Sequence, residues 1–165
     1  MPLFDSLFNF AHWLTQDRTE AEDLVQETCA KALKGFSSFQ LGTNFRAWIF
    51  RILRNTFYTS RTGLKAAALV SVEEQELDNA VIIRDTPESV LLSQIDIAEL
   101  QRAIEQLSVP LREVLLLCDV EELSYREAAD TLGIPVGTVM SRLSRARQSA
   151  RQYLAGESRT RVTGR

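Results

Sequence analysis

Cysteine is scarce in this chain, with only Cys29 and Cys118 in 165 residues, no Cys-x-x-Cys spacing and no histidine partner beside either. That excludes a disulfide-built scaffold and a Cys/His zinc site, and it suits a reducing compartment. Histidine occurs once, as His12 beside Trp13, with no Ser or Cys framed as its nucleophile and no glycine-rich phosphate loop anywhere. No catalytic constellation, metal site or cofactor is therefore expected, and the chain does not read as an enzyme. Long apolar runs are also missing. The longest, such as Val114 to Cys118, fall far short of the ~20 residues that span a bilayer. No basic region with an apolar core and small-residue cleavage site opens the chain, so a cytoplasmic protein without membrane insertion is expected.

What the chain has is segregated charge and helical periodicity. The net charge of −3 divides into +2 over residues 1–65, −10 over 66–123 and +5 over 124–165. Overall acidity therefore does not exclude a nucleic-acid partner, because a phosphate backbone responds to the local field. The bland alternative is a basic tail and an acidic linker, both merely solvated.

No segment sustains strand alternation, and the expected class is all-α. Thr19 and Glu22 have the spacing of a capping box, and Ala21, Leu24, Val25, Thr28, Ala32, Leu33 and Phe36 then recur on one helical face. A shorter helix precedes this one, from about Phe4 to Leu14. A third begins near Asn44 and is expected to bury Phe45, Trp48, Ile49, Ile52, Leu53 and Phe57. The pattern lapses over residues 63–85, where Glu73, Glu74, Glu76 and Asp78 cluster, as in a flexible acidic linker. It resumes at Thr86-Pro87, a cap followed by proline at the first helical position. Leu91, Leu92, Ile95, Leu100, Ile104 and Leu107 mark a long helix that breaks at Ser108-Val109-Pro110. Leu111, Val114, Leu115 and Cys118 form the inner stripe of the next helix.

The sharpest local signal lies beyond it. Ser124 and Glu127 make a capping box, Ala128 and Ala129 permit close helix approach, and Gly133 ends the helix. After the turn at Ile134-Pro135-Val136, a longer helix places Val139, Leu143, Ala146 and Ala150 inward. Thr138, Ser141, Arg142 and Arg145 share what reads as the opposite face. This is the pattern of a helix-turn-helix, whose second helix lies in the major groove. Arginine can donate two hydrogen bonds to guanine, while Arg147 and Arg151 flank the stripe and suit phosphate contacts. An α-hairpin with a solvated arginine face is the alternative.

In the N-terminal part, Asp23, Gln26, Glu27 and Ala30 oppose the apolar stripe and fit a basic protein partner. Arg51, Arg54, Asn55 and Tyr58 share the outer face of the third helix, with Arg46 before them. Basic residues interleaved with Tyr58 and nearby Phe39 suit single-stranded nucleic acid, because aromatic faces stack on bases. Trp48 reads as core. Phe39 and Asn55 fit packing and solvation as well as they fit DNA.

Three segments together resemble the extracytoplasmic-function group of bacterial RNA polymerase sigma factors. Ala21-Glu-Asp-Leu-Val-Gln-Glu-Thr28 is similar to the family's polymerase-binding segment. Asn44-Phe-Arg-Ala-Trp-Ile-Phe-Arg-Ile-Leu-Arg-Asn55 is similar to its promoter-melting helix. The stretch from Leu123 through the helix-turn-helix to Arg147 is similar to its fourth region. The Leu7-Phe8-Asn9 opening and the Gly42-Thr-Asn44 loop look most like the redox- and stress-responsive branch. The resemblance implies two small helical domains: region 2 over residues 1–62 and region 4 over 86–156, joined by the linker 63–85. A disordered basic tail is expected over 157–165.

It implies roles as well. Asp23, Gln26 and Glu27 would bind core RNA polymerase. Phe39 and Asn55, with the Gln40–Phe45 loop and Asn44 in it, would capture a flipped non-template base of the minus-ten element, and Arg46, Arg51 and Arg54 would hold that DNA. Ser141, Arg142, Ser144 and Arg145, with Thr138 and Arg147, would contact duplex minus-thirty-five promoter DNA. An anti-sigma factor is the expected regulator. Many relatives carry a basic residue at the place of Met140, which this chain lacks. The other reading is a dimeric helix-turn-helix regulator on an operator, which would leave the aromatic-basic helix without a purpose.

Overall fold

The computed structural model describes residues 2–61 and 97–163, with side chains described through Gly156. The expected linker 63–85 and the cap at Thr86-Pro87 lie outside the described residues. Seven α-helices and no strand appear among the described residues: α1 (Pro2–Thr15), α2 (Arg18–Gly35), α3 (Phe45–Ser60), α4 (Ile97–Glu105), α5 (Val109–Leu115), α6 (Tyr125–Leu132) and α7 (Val136–Thr163). A short 3-10 turn, Phe36–Ser38, comes after α2, and a π-helical turn, Leu116–Val120, extends α5.

The first three helices pack around Leu7, Phe10, Val25, Phe50 and Leu53. Phe50 sits edge-on to Phe10 at 5.3 Å and 83°, the aromatic geometry that ring quadrupoles favour. The α2 cap is Asp17, whose carboxylate accepts the Glu20 amide at 2.9 Å, so the expected Thr19/Glu22 box does not start this helix. Asp satisfies an orphan amide and its charge suits the positive helix start. Leu33 and Phe36, expected inward, are exposed; α2 is ending there, and Phe36 meets only the Phe39 and Trp48 rings, at 6.0 and 6.4 Å among the described aromatic contacts.

The C-terminal helices bury Val114, Leu117, Val139, Leu143 and Ala146. Both halves of the capping box form in α6: Ser124 Oγ accepts the Glu127 amide at 3.1 Å, and the Glu127 carboxylate accepts the Ser124 amide at 2.9 Å. Gly133 turns the chain at φ +68°, a conformation that side-chain-bearing residues resist. The Ile134 amide then donates to Ala129 O at 3.1 Å. The last helix runs to Thr163, so residues 157–163, expected in a disordered tail, continue α7 instead.

The two groups of helices are not separate beads. Their buried apolar residues form one continuous cluster, with α3 packed against α6. Arg112 fans its guanidinium over the end of α4, donating to Ile104 O, Glu105 O and Leu107 O at 3.0–3.2 Å, and to Trp13 O of α1 at 3.3 Å. It also lies 5.6 Å from the Trp13 ring centroid, a cation–π distance. Thr131 Oγ1 donates to Ala47 O at 3.3 Å, a second bond between the two groups.

Candidate nucleic-acid and polymerase interface

The π-helical turn sets where the acidic residues after it lie. Glu121 donates its amide to Leu116 O at 2.9 Å, the i to i+5 bond that inserts one residue and rotates the chain beyond it. Glu121 is thereby buried and accepts a hydrogen bond from Arg46 Nη2, which also donates to Ser6 Oγ at 3.1 Å. Two helical turns farther along α3, Arg54 Nε donates to Glu113 Oε2 at 2.6 Å. Tyr58 OH donates to Glu113 Oε1, and the Arg54 guanidinium lies 4.6 Å from the Tyr58 ring centroid. Burial, reinforced by the Glu113 charge, pushes the Tyr58 phenol well above its ordinary pKa.

Of the residues expected to hold opened DNA, then, Arg46 and Arg54 are engaged by carboxylates while Arg51 and Asn55 are exposed. Asn55 lines a cleft of about 320 Å³ between α2 and α3, together with Lys31, Gly35, Ser38, Trp48, Thr56 and Thr59. Phe39 is not on that lining. It packs 5.2 Å from Trp48 and 5.4 Å from Phe45, so Trp48 joins the Phe39 aromatic cluster to the cleft. Trp48, expected as core, is only half-buried. Asn44 caps α3 by accepting the Arg46 amide at 3.0 Å and also bonds the Glu127 carboxylate. The bond from the Ser124 amide, and secondarily Asn44, holds that carboxyl below the usual range.

On α2, Asp23 and Gln26 are exposed, and Glu27 pairs with Lys31 at 3.2 Å. On α7, Thr138, Ser141, Ser144 and Arg145 are half-exposed, and Ser141 Oγ donates to Gly137 O at 3.0 Å. Arg142 differs from expectation: it is 4% exposed, and its Nε and Nη2 have no hydrogen-bond partner among the described residues. The reason lies in its spacing. Arg142 stands three residues after Val139 and four before Ala146, on the flank of the buried stripe rather than opposite it. Arg147 is held by Asp119 in a two-bond pair.

Comparison with known proteins bears on the purpose of these surfaces. The Sigma-70 region 2 family matches residues 3–66, and the Sigma-70 region 4 family matches residues 97–149. The chain is 35% identical over 169 residues to the ECF RNA polymerase sigma factor EcfG of Rhodopseudomonas palustris, covering 94% of this chain and 90% of that one. The chain belongs to the extracytoplasmic-function sigma factors. It is also 35% identical over 157 residues to the sigma factor SigE of Mycolicibacterium smegmatis, covering 93% of this chain and spanning 59% of that relative's length.

Among solved structures, the sigma factor RpoE of Bartonella quintana, crystallised with the anti-sigma factor NepR, is 33% identical with a TM-score of 0.68, over 93% of this chain and 92% of that one. CnrH, in complex with the cytosolic domain of CnrY, is 25% identical with a TM-score of 0.62, over 92% and 82% of the two chains. A dimeric operator-binding regulator is not favoured for this sigma factor, because region 2 matches as well as region 4. Sigma factors are not enzymes in the catalytic sense. In this one, no helix among the described residues is long and apolar enough to cross a membrane.

Sequence reasoning missed Glu113 and Glu121. Both are carboxylates inside or beside apolar stripes, and such placement was the available signal, since buried acids need partners.

Proposed function

We propose that this sigma factor brings core RNA polymerase to promoters through three surfaces, and that it acts in the cytoplasm without catalysing a reaction itself. Asp23, Gln26 and Glu27 on α2 meet the polymerase. The cleft beside Asn55 receives a base extruded from the minus-ten element, with Arg51 beside it on the exposed face of α3. Ser141, Ser144 and Arg145, with Thr138, meet the minus-thirty-five duplex. The observation that carries this reading is the cleft: half-buried Trp48 and Ile52 give it an apolar wall, Ser38, Asn55, Thr56 and Thr59 give it polar groups, and it opens at the surface of the basic helix. Extruding a base costs a few kcal/mol, and a pocket that stacks and hydrogen-bonds it offsets part of that cost.

Neither DNA-contacting surface needs to bind tightly alone. Tethering both to one polymerase makes the second contact intramolecular and raises the combined affinity by orders of magnitude. An anti-sigma protein is the regulator this reading expects.

The test is transcription in vitro with purified core polymerase on a promoter library. Arg145→Ala is expected to relax selection upstream, and Asn55→Ala to block strand opening while upstream binding persists. If the wild-type protein leaves the start-site distribution of core polymerase unchanged, the reading is wrong.

A further inference from the structure

Opposite the buried Val139, Leu143 and Ala146, the first two turns of α7 present Gly137, Met140 and Ser141, with Ser144 just beyond. Gly137 adds no side chain. Ser141 donates its hydroxyl proton to Gly137 O at 3.0 Å. Arg142 is buried, and the half-exposed Arg145 and exposed Gln148 come only after these two turns. Met140, 47% exposed, is therefore the one long side chain that residues 136–143 extend outward. Val136, one turn before it, is 39% exposed and widens the apolar spot.

The major groove distinguishes base pairs by two kinds of signal, the pattern of hydrogen-bonding groups and the C5 methyl of thymine. Reading guanine or adenine takes a forked donor or an amide, from Arg, Lys, Asn or Gln. None of these stands outward in the first two turns, the part of a recognition helix that reaches base edges. A methionine has the complementary property. Its thioether donates nothing, is polarizable and adapts its three rotatable bonds to an apolar surface. An exposed methionine alone needs no explanation. This one sits in a segment of net charge +5, residues 124–165, with exposed Arg126 at the start of α6 and Arg145 farther along α7. An apolar group framed by cations suits a polyanionic duplex, whose phosphates take the charges while its base edges meet the apolar group.

We infer that Met140 is a specificity-determining residue of this sigma factor, reading the methyl group of a thymine in the minus-thirty-five duplex by apolar contact. The inference rests on the reading that α7 meets that duplex, and it adds the chemistry by which one base pair is chosen. Selection there depends on a methyl group and not on a hydrogen bond. The size of the effect separates the two: removing one buried methyl weakens binding about three- to fivefold, whereas losing a bidentate pair costs about ten- to a hundredfold.

The experiment uses holoenzyme assembled from this sigma factor and core polymerase. Duplexes selected from a promoter library define the upstream element. Each thymine of that element is then replaced in turn by deoxyuridine, which removes the methyl and leaves base pairing intact. Competition binding compares these duplexes for wild type, Met140→Ala and Met140→Leu. The expected result is an upstream thymine at which uracil weakens wild-type binding about three- to fivefold. Met140→Ala should bind the thymine and uracil duplexes equally, and Met140→Leu, still apolar and long enough to reach, should keep the difference. Absence of any uracil-sensitive thymine in the upstream element overturns the inference, and so does the same penalty persisting in Met140→Ala. A holoenzyme that selects no upstream element at all sinks the reading of α7 and this inference together. An element that is selected but indifferent to uracil sinks the inference alone.

Discussion

Arg147 grips Asp119 with two parallel bonds, Nε to Oδ2 at 2.9 Å and Nη2 to Oδ1 at 2.6 Å, and so ties the middle of α7 to the π-helical turn that aims Glu121. Both side chains are about a third exposed, so water screens the pair and its net worth is below about 1 kcal/mol. Asp119→Asn is expected to lower stability by no more than that in urea unfolding. Asp119→Asn also removes one anion beside Arg147, and duplex DNA binding is expected to rise in salt sensitivity.

Removing Arg54 has a different consequence. Glu113 is buried, and stripping away its cation leaves an uncompensated charge at a cost of about 3–5 kcal/mol. Arg54→Ala is therefore expected to be strongly destabilising unless the two groups of helices part and hydrate Glu113. Small-angle scattering separates these outcomes: an expanded but helical particle means the boundary opened. Arg54→Ala combined with Glu113→Gln should recover most of the lost stability.

The pH dependence of the helix-turn-helix centres on Glu127. Its carboxyl lies below the ordinary value of 4.5 because the Ser124 amide, and then Asn44, bond its charged form. A depressed acid contributes stability above the unfolded pKa, and that contribution is lost as pH falls through the folded value. Melting temperature measured from neutral pH downward should fall on the acid side, and Glu127→Gln should flatten that limb while lowering the plateau.

Cys118 behaves in the opposite sense. Burial, helped by Asp119, pushes its thiol from 9.0 up to about 11, with Arg147 opposing. The folded state thus favours the neutral thiol; this stability is complete below pH 9 and falls as pH rises toward about 11. At pH 8 the thiolate is scarce, and Cys118 should alkylate with iodoacetamide many times more slowly than a free thiol. A rate equal to that of free cysteine would contradict this.

Much of the fold depends on local chemistry and is legible in the residues themselves. The Ser124/Glu127 capping box, the Gly133 stop and the inward Val139, Leu143, Ala146 and Ala150 all depend on neighbours within one or two helical turns. So does Asn44 at the start of α3. The α2 cap falls two residues before the expected Thr19, because Asp17 and Thr19 both have side chains able to accept an amide and only the chain's entry direction chooses between them. Asn55 on an outer helical face can be read as a candidate, but the cleft it edges needs α2 and α3 brought side by side.

The sequence by itself determined the helical class, the caps of α3 and α6 and the turn between α6 and α7, because hydrogen bonds and apolar spacing over three or four residues settle them. Only the tertiary structure decided that Arg142 is buried, that Trp48 floors a cleft, and that Glu113 and Glu121 reach Arg54 and Arg46 across 59 and 75 residues of chain. An ion pair at that separation has no local signature: each partner looks like an ordinary charged residue until packing removes the water around it.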